Sequence, residues 1–120
     1  MTQAENSTPT LRRTPTIQGY VYFATAIGSD ATKVGWTHDP EARIKQIQGS
    51  CPLEIVLDIA LPGIDIMDEQ IVHSALRAHR IRGEWFSTKA CWELLNSLAA
   101  IMEIQSVDWL QALWLYGEKA

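Results

Sequence analysis

With 120 residues the chain has room for one domain around one core, and a composition 47% hydrophobic and 20% charged is that of a folded globular protein. No apolar run reaches membrane length and the N-terminal stretch lacks a signal-peptide core, so the expectation is a cytoplasmic protein with no membrane partner. A net charge of −4 argues against tight non-specific binding to a polyanion, since that affinity comes from Lys and Arg displacing counterions.

Residues 1–16 are rich in Ser, Thr and Pro, show no apolar period and read as a disordered arm, with Arg12 and Arg13 as its cations. The alternation of Tyr20, Val21, Tyr22 and Phe23 predicts a strand with two distinct faces. Gly28, Ser29 and Asp30 supply a loop, and Thr32 to Trp36 return as the second strand of a hairpin. Asp39-Pro40 is an N-cap followed by proline at the first helical position, which predicts a helix from Pro40 to about Gln48 with Ile44 and Ile47 inward. Tyr22, Lys33 and Arg43 thereby come into one neighbourhood, and a phenol, an ammonium and a guanidinium together suit a phosphate. Tyr20 shares Tyr22's face of the strand.

Gly49 to Pro52 end this helix, and residues 53–61 predict a third strand with Ile55, Leu57 and Ile59 on one face against Glu54, Val56 and Asp58 on the other. Asp65 caps a predicted helix to about His79 in which Glu69, Val72, His73 and Leu76 fall on one stripe. On spacing alone Glu69 and His73 read as an ordinary i,i+4 contact. Arg77, His79, Arg80 and Arg82 form the most basic run, equally compatible with a phosphate-backbone patch and with a solvated helix end. Between Lys33 and Arg82 there are six Lys/Arg against seven Asp/Glu, so a local basic face survives the net acidity. Trp85 and Phe86 read as core plugs. Ser87 or Thr88 caps a helix to about Met102 with Trp92, Leu95, Leu98 and Ala99 inward, and residues 107–116, with Trp109, Leu110, Leu113 and Trp114 at helical spacing, predict a last helix that Gly117 stops. That last helix either packs on the domain or offers a surface to a second copy or a partner protein. Cys51 and Cys91 lie far apart with no C-x-x-C spacing, which speaks against zinc and for free thiols in a reducing compartment.

Together Val21-Tyr22, Lys33-Val34-Gly35, Arg43 and Gly83-Glu84-Trp85-Phe86 resemble, in order and spacing, the motifs of the GIY-YIG nuclease superfamily. The Lys33-Val34-Gly35 and Gly83-Phe86 motifs are similar to those of its phage- and prophage-associated branch, the meiotically up-regulated gene type, where a lysine commonly replaces the second tyrosine. The resemblance implies an α+β fold: a small three-stranded antiparallel sheet flanked by helices over residues 17–102, with residues 103–120 as a C-terminal helical extension. It implies a metal-dependent endonuclease acting on nucleic acid, DNA ahead of RNA. Tyr22 would be the general base, with Tyr20 as neighbour or backup. Arg43 would hold a phosphate oxygen, and Glu69 would be the ligand of one Mg2+ or Mn2+. Lys33 would hold the charge of a tyrosinate, His73 would join the site, and Glu84 would be a second acidic ligand or would orient Lys33 or Arg43. Arg77, Arg80 and Arg82 would meet the nucleic acid. The competing expectation is a catalytically silent nucleic-acid-binding or regulatory module that keeps the fold.

Overall fold

A computed structural model describes residues 18–63 and 65–119; the arm expected over residues 1–16, with Arg12 and Arg13, lies outside them. The elements follow the predicted order with two additions. Strand β1 (Gly19–Ala26) turns into β2 (Ala31–Thr37), then come α1 (Pro40–Gln48), β3 (Ile55–Gly63) and α2 (Ile66–Ala75). A 3-10 turn (Arg77–His79) leads into β4 (Arg80–Arg82) and β5 (Trp85–Ser87), which are followed by α3 (Thr88–Gln105) and α4 (Trp109–Lys119). Among the described residues no helix is long and apolar enough to cross a membrane.

The sheet has five strands, not the three expected, in the order β3-β1-β2-β5-β4 with every pair antiparallel. The added strands have three residues each, too few for alternation to register, and their arginines look like the end of the preceding helix. In fact α2 stops at Ala75 because the chain tightens: the Leu76 amide bonds to the carbonyls of both Val72 and His73.

Alternation along β1 and β2 sends side chains to two cores. Val21, Phe23, Val34 and Phe86 meet Val72 and Leu76 of α2, Leu94, Leu95 and Leu98 of α3, and Trp109, Ala112 and Leu113 of α4. On the other face Tyr22, Ala24, Ala26 and Ile55 are covered by Ile44 and Ile47 of α1, with Leu57 and Trp85 alongside. Each fully buried Val, Leu or Phe contributes roughly 1.5–3 kcal/mol. Three helix starts follow the sequence: Asp39 accepts from the Ala42 amide at 3.1 Å, Asp65 forms a capping box with Asp68, and Ser87 accepts from the Ala90 amide at 3.3 Å.

Some predicted faces are corrected. The register between β1 and β3 slips at Phe23/Ala24, which pair with Ile59 and Leu57, so Asp58 is the extra residue of a bulge. Its carboxylate accepts from the Thr25 hydroxyl, and contacts of 2.8 Å continue from Thr25 to Thr32 and from Thr32 to Thr88. Asp58 is therefore engaged with a buried hydroxyl row, while Ile59, predicted inward, is 36% exposed. In α3 the buried side is Ala90, Cys91, Leu94, Leu95 and Leu98: Leu95 and Leu98 are inward as expected, while Trp92, 42% exposed, and Ala99 face outward. Helix α4 continues through Gly117 to Lys119, since one glycine weakens a helix by only ~1 kcal/mol and does not end it. Its packing is the simpler of the two expected roles: Trp109 is buried and its indole N–H donates to the Pro62 carbonyl at 2.7 Å.

Candidate active site at the edge of the second strand

Strand β5 pairs with β2 only as far as Lys33, opposite Trp85. Beyond that point the edge of β2 needs other partners, because buried backbone groups left unpaired are costly. The Val34 amide donates to the Glu84 carbonyl at 2.9 Å, and the Val34 carbonyl accepts from Nε2 of His73 at 2.7 Å. The Trp36 backbone lies close enough to the Glu69 carboxylate to favour its charged form. One strand edge thus draws in Glu84 from the β4–β5 turn and two side chains from α2. Glu69, His73 and Glu84 each offer a ligand atom, and these atoms lie within 4.8 Å of one another.

Local sequence explains the convergence. Gly83 sits at φ +55, a left-handed turn conformation open to glycine, and it delivers Glu84 to the site, Trp85 to the α1 face and Phe86 to the main core. On α2 the carboxylate and imidazole occupy the same buried stripe as Val72, with Glu69 3% and His73 7% exposed. The His73 ring is tilted against Phe86 at 5.0 Å, and Gln70 donates to Glu69 at 3.0 Å. The Glu69–His73 pair is accordingly no surface contact.

Tyr22 enters from the α1 face. It is fully buried and registers opposite Gly35, where an added Cβ would come within 2.5 Å of the phenol oxygen. The ring therefore lies across the glycine and reaches toward the edge where Glu69 and Glu84 stand. No well-formed hydrogen bond satisfies its oxygen, although the Arg43 guanidinium lies beside it. Burial pushes the phenol's pKa above the usual 10.0, Arg43 pulls it back in part, and Glu84 and Glu69 push it further up. Tyr20, two residues earlier, is half-buried opposite Thr37, away from Gly35.

Lys33, expected to hold the charge of a tyrosinate, is engaged by other groups in the structure. Its ammonium pairs with Glu84 at 3.3 Å and lies 5.4 Å from the centre of the Trp85 ring. The cation at the phenol is Arg43, half-buried on α1 one turn from Ile47. Glu69 has its carboxyl pKa raised from the ordinary 4.5, first by burial and then by the Glu84 charge, with His73, Gln70 and the Trp36 amide opposing. Two carboxylates and an imidazole facing one another, one carboxylate buried at a cost, form a donor set that suits a divalent cation.

The three arginines have different immediate neighbours. Arg82 registers opposite Trp85 on the site side; Arg80 registers opposite Phe86, its guanidinium 5.2 Å from that ring; the bulge between them separates their settings. Arg77 lines a cavity of about 810 Å³ between α2 and α4, with Met67, Ile71 and Trp114. Sequence reasoning missed what Gly35 does as clearance, Trp85 as the ring under Lys33, and Gln70 as support for Glu69. A glycine opposite an aromatic on a paired strand is a readable signal for the first; nothing in the spacing points to the other two.

A sheet with Tyr22, Arg43 and an acidic group gathered at one strand edge has the arrangement expected of a GIY-YIG-type domain. The chain belongs to the T5orf172 domain family, a GIY-YIG-related phage domain family, which matches residues 19–105. Comparisons with curated proteins and with solved structures give no match. The family match takes in every site residue from Tyr20 to Glu84 and ends before α4.

Proposed function

We propose that this domain is a divalent-metal-dependent endonuclease that hydrolyses phosphodiester bonds in nucleic acid, DNA ahead of RNA. The observation that carries the reading is the convergence of Tyr22 and Arg43 with the Glu69, His73 and Glu84 group at one strand edge. Phosphodiester hydrolysis needs an activated water, neutralised phosphoryl oxygens and help for the leaving group. Glu69 would hold one Mg2+ or Mn2+, which when bound supplies Lewis-acid charge to the phosphate. Arg43 holds a non-bridging oxygen. Tyr22 takes the proton from the attacking water only as the phenolate, after giving its own proton to solvent; burial opposes that loss, and the Arg43 charge beside the phenol favours it. Glu84 keeps Lys33 at the rim of the site, from where the ammonium meets incoming phosphate.

Few cations serve this surface, so affinity is expected to be modest and targeting to come from a partner protein or a second copy. The exposed side of α2 and α4, with Met67, Ile71 and Trp114, is the surface such a partner would cover. The test is a cleavage screen over duplex, branched and single-stranded DNA and RNA with Mg2+ or Mn2+. Cleavage that disappears in EDTA and in Glu69→Ala is the expected result. Binding without cleavage, indifferent to Glu69→Ala, would leave the silent binding module in its place.

A further inference from the structure

The metal reading above rests on Glu69; the surroundings of His73 extend it. We propose that His73 is a direct nitrogen ligand of the same ion, with Glu69 and Glu84. The centre is then a mixed oxygen–nitrogen site that takes a first-row transition ion such as Mn2+ ahead of Mg2+. This rests on the metal-dependent reading of the site but concerns which residues touch the ion.

The hydrogen bond from His73 to Val34 fixes the tautomer. A carbonyl oxygen only accepts, so Nε2 at 2.7 Å from the Val34 oxygen carries a hydrogen, and in the neutral ring that a metal requires Nδ1 is the nitrogen with the lone pair. Metal-binding imidazoles are typically held this way, one nitrogen donating to a carbonyl or carboxylate and the other facing the ion. The ring is also fixed in place: His73 is 7% exposed, leans on Phe86 at 5.0 Å, and rides on α2 one turn from Glu69. An imidazole kept only for packing has no need of two carboxylates whose ligand atoms lie within 4.8 Å of its own.

A positive group already stands at this centre. The Lys33 ammonium lies 3.3 Å from Glu84, where it neutralises the more exposed carboxylate of the set. A divalent ion recruiting Glu84 competes with that ammonium for the charge of the carboxylate, so Lys33 opposes metal binding. Ion choice follows from the donors. Mg2+ prefers oxygen ligands and gives up water reluctantly, whereas first-row transition ions accept imidazole readily.

The untagged chain loaded with Mn2+ tests this without any turnover. Pulsed electron paramagnetic resonance should show nitrogen coupling from one bound imidazole. His73→Gln keeps a donor for the Val34 carbonyl but removes the lone pair, and it should abolish the coupling and weaken Mn2+ at least tenfold. The Mn2+:Mg2+ affinity ratio should fall with it. Lys33→Met should strengthen Mn2+ binding about two- to fivefold, the range of a partly exposed ion pair. Mn2+ binding that requires Glu69 but shows no nitrogen coupling overturns the proposal while leaving the nuclease reading intact. Coupling that persists in His73→Gln, and so arises from another histidine, overturns it too. An absence of saturable Mn2+ binding also overturns it, and whether the nuclease reading falls as well is then decided by Glu69→Ala in the cleavage screen.

Discussion

At the scale of single residues, Gly35 and Glu69 show how the site is built against the preferences of an ordinary core. Gly35 leaves open the space into which Tyr22 lies, and because that ring is fully buried it has nowhere to swing if a methyl group arrives. Gly35→Ala should cost about 1–3 kcal/mol by overpacking. It should also abolish cleavage, since any relaxation displaces the phenol from Arg43. Denaturant melts and the cleavage assay together check this, and a stable, active Gly35→Ala would show that the ring position is not required. Glu69 has the opposite character, a carboxylate that the fold ionises at a cost. Its folded pKa lies above the usual 4.5, so the stability it contributes is complete below that value and is lost as pH rises through the folded value. In EDTA, Glu69→Gln should therefore melt higher than the natural protein at neutral pH, with the difference closing toward pH ~4. Added Mn2+ should raise the melting temperature of the natural protein only. A Glu69→Gln variant that melts lower throughout would mean that the carboxylate is held by its hydrogen bonds more than it is penalised by burial.

At the scale of elements, the hairpin, α1 and the start of α2 were legible in the sequence because each rests on a local rule: alternation, Asp39-Pro40 as cap and first position, and Asp65 as cap. The neighbourhood of Tyr22 and Arg43 followed from those elements alone. The bulge at Asp58 was not legible, since nothing local distinguishes an inward aspartate accepting from Thr25 from an outward one. The same limit hid β4 and β5, since β5 pairs with a strand some fifty positions back and β4 pairs with β5. The β4–β5 pairing gives the arginines different settings. Arg82 registers beside Trp85, while Arg80 is committed to Phe86 and Arg77 to the groove under Trp114. Arg82→Gln should weaken binding to nucleic acid and lower the salt slope by about one, the value for one lost phosphate contact. Arg77→Gln should leave the slope unchanged. Equal effects of the two, read in salt titrations, would show that the cations act as a diffuse field and not as placed contacts.

At the scale of the whole molecule, the family match and the physical domain do not end at the same place. The match stops at residue 105, yet Trp109, Ala112 and Leu113 of α4 lie in the same core cluster as Phe23, Phe86 and Leu94. Trp109 also ties the helix to the far edge of the sheet through the Pro62 carbonyl at 2.7 Å. Sequence showed an amphipathic segment there but not which side it used, because Trp114, 66% exposed, and buried Trp109 weigh alike in a hydrophobic pattern. Removing α4 would uncover the buried sides of Leu94, Leu95 and Leu98 and leave the Pro62 carbonyl without its donor. Loss of a buried Trp alone costs about 3–5 kcal/mol, and a domain of this size holds only ~5–15 kcal/mol in total. A chain ending at Gln105 should therefore lose its cooperative thermal transition and bind a hydrophobic dye, although it keeps every residue of the proposed site. Trp114→Ser in the full-length chain should change stability by no more than about 0.5 kcal/mol, as expected for an exposed position. If the shortened chain instead melts cooperatively near the full-length temperature, α4 is an appendage and the core closes without it. If Trp114→Ser is the more damaging change, the outer side of α4 is already buried in solution, and sedimentation of the full-length chain should then show a mass above that of one copy.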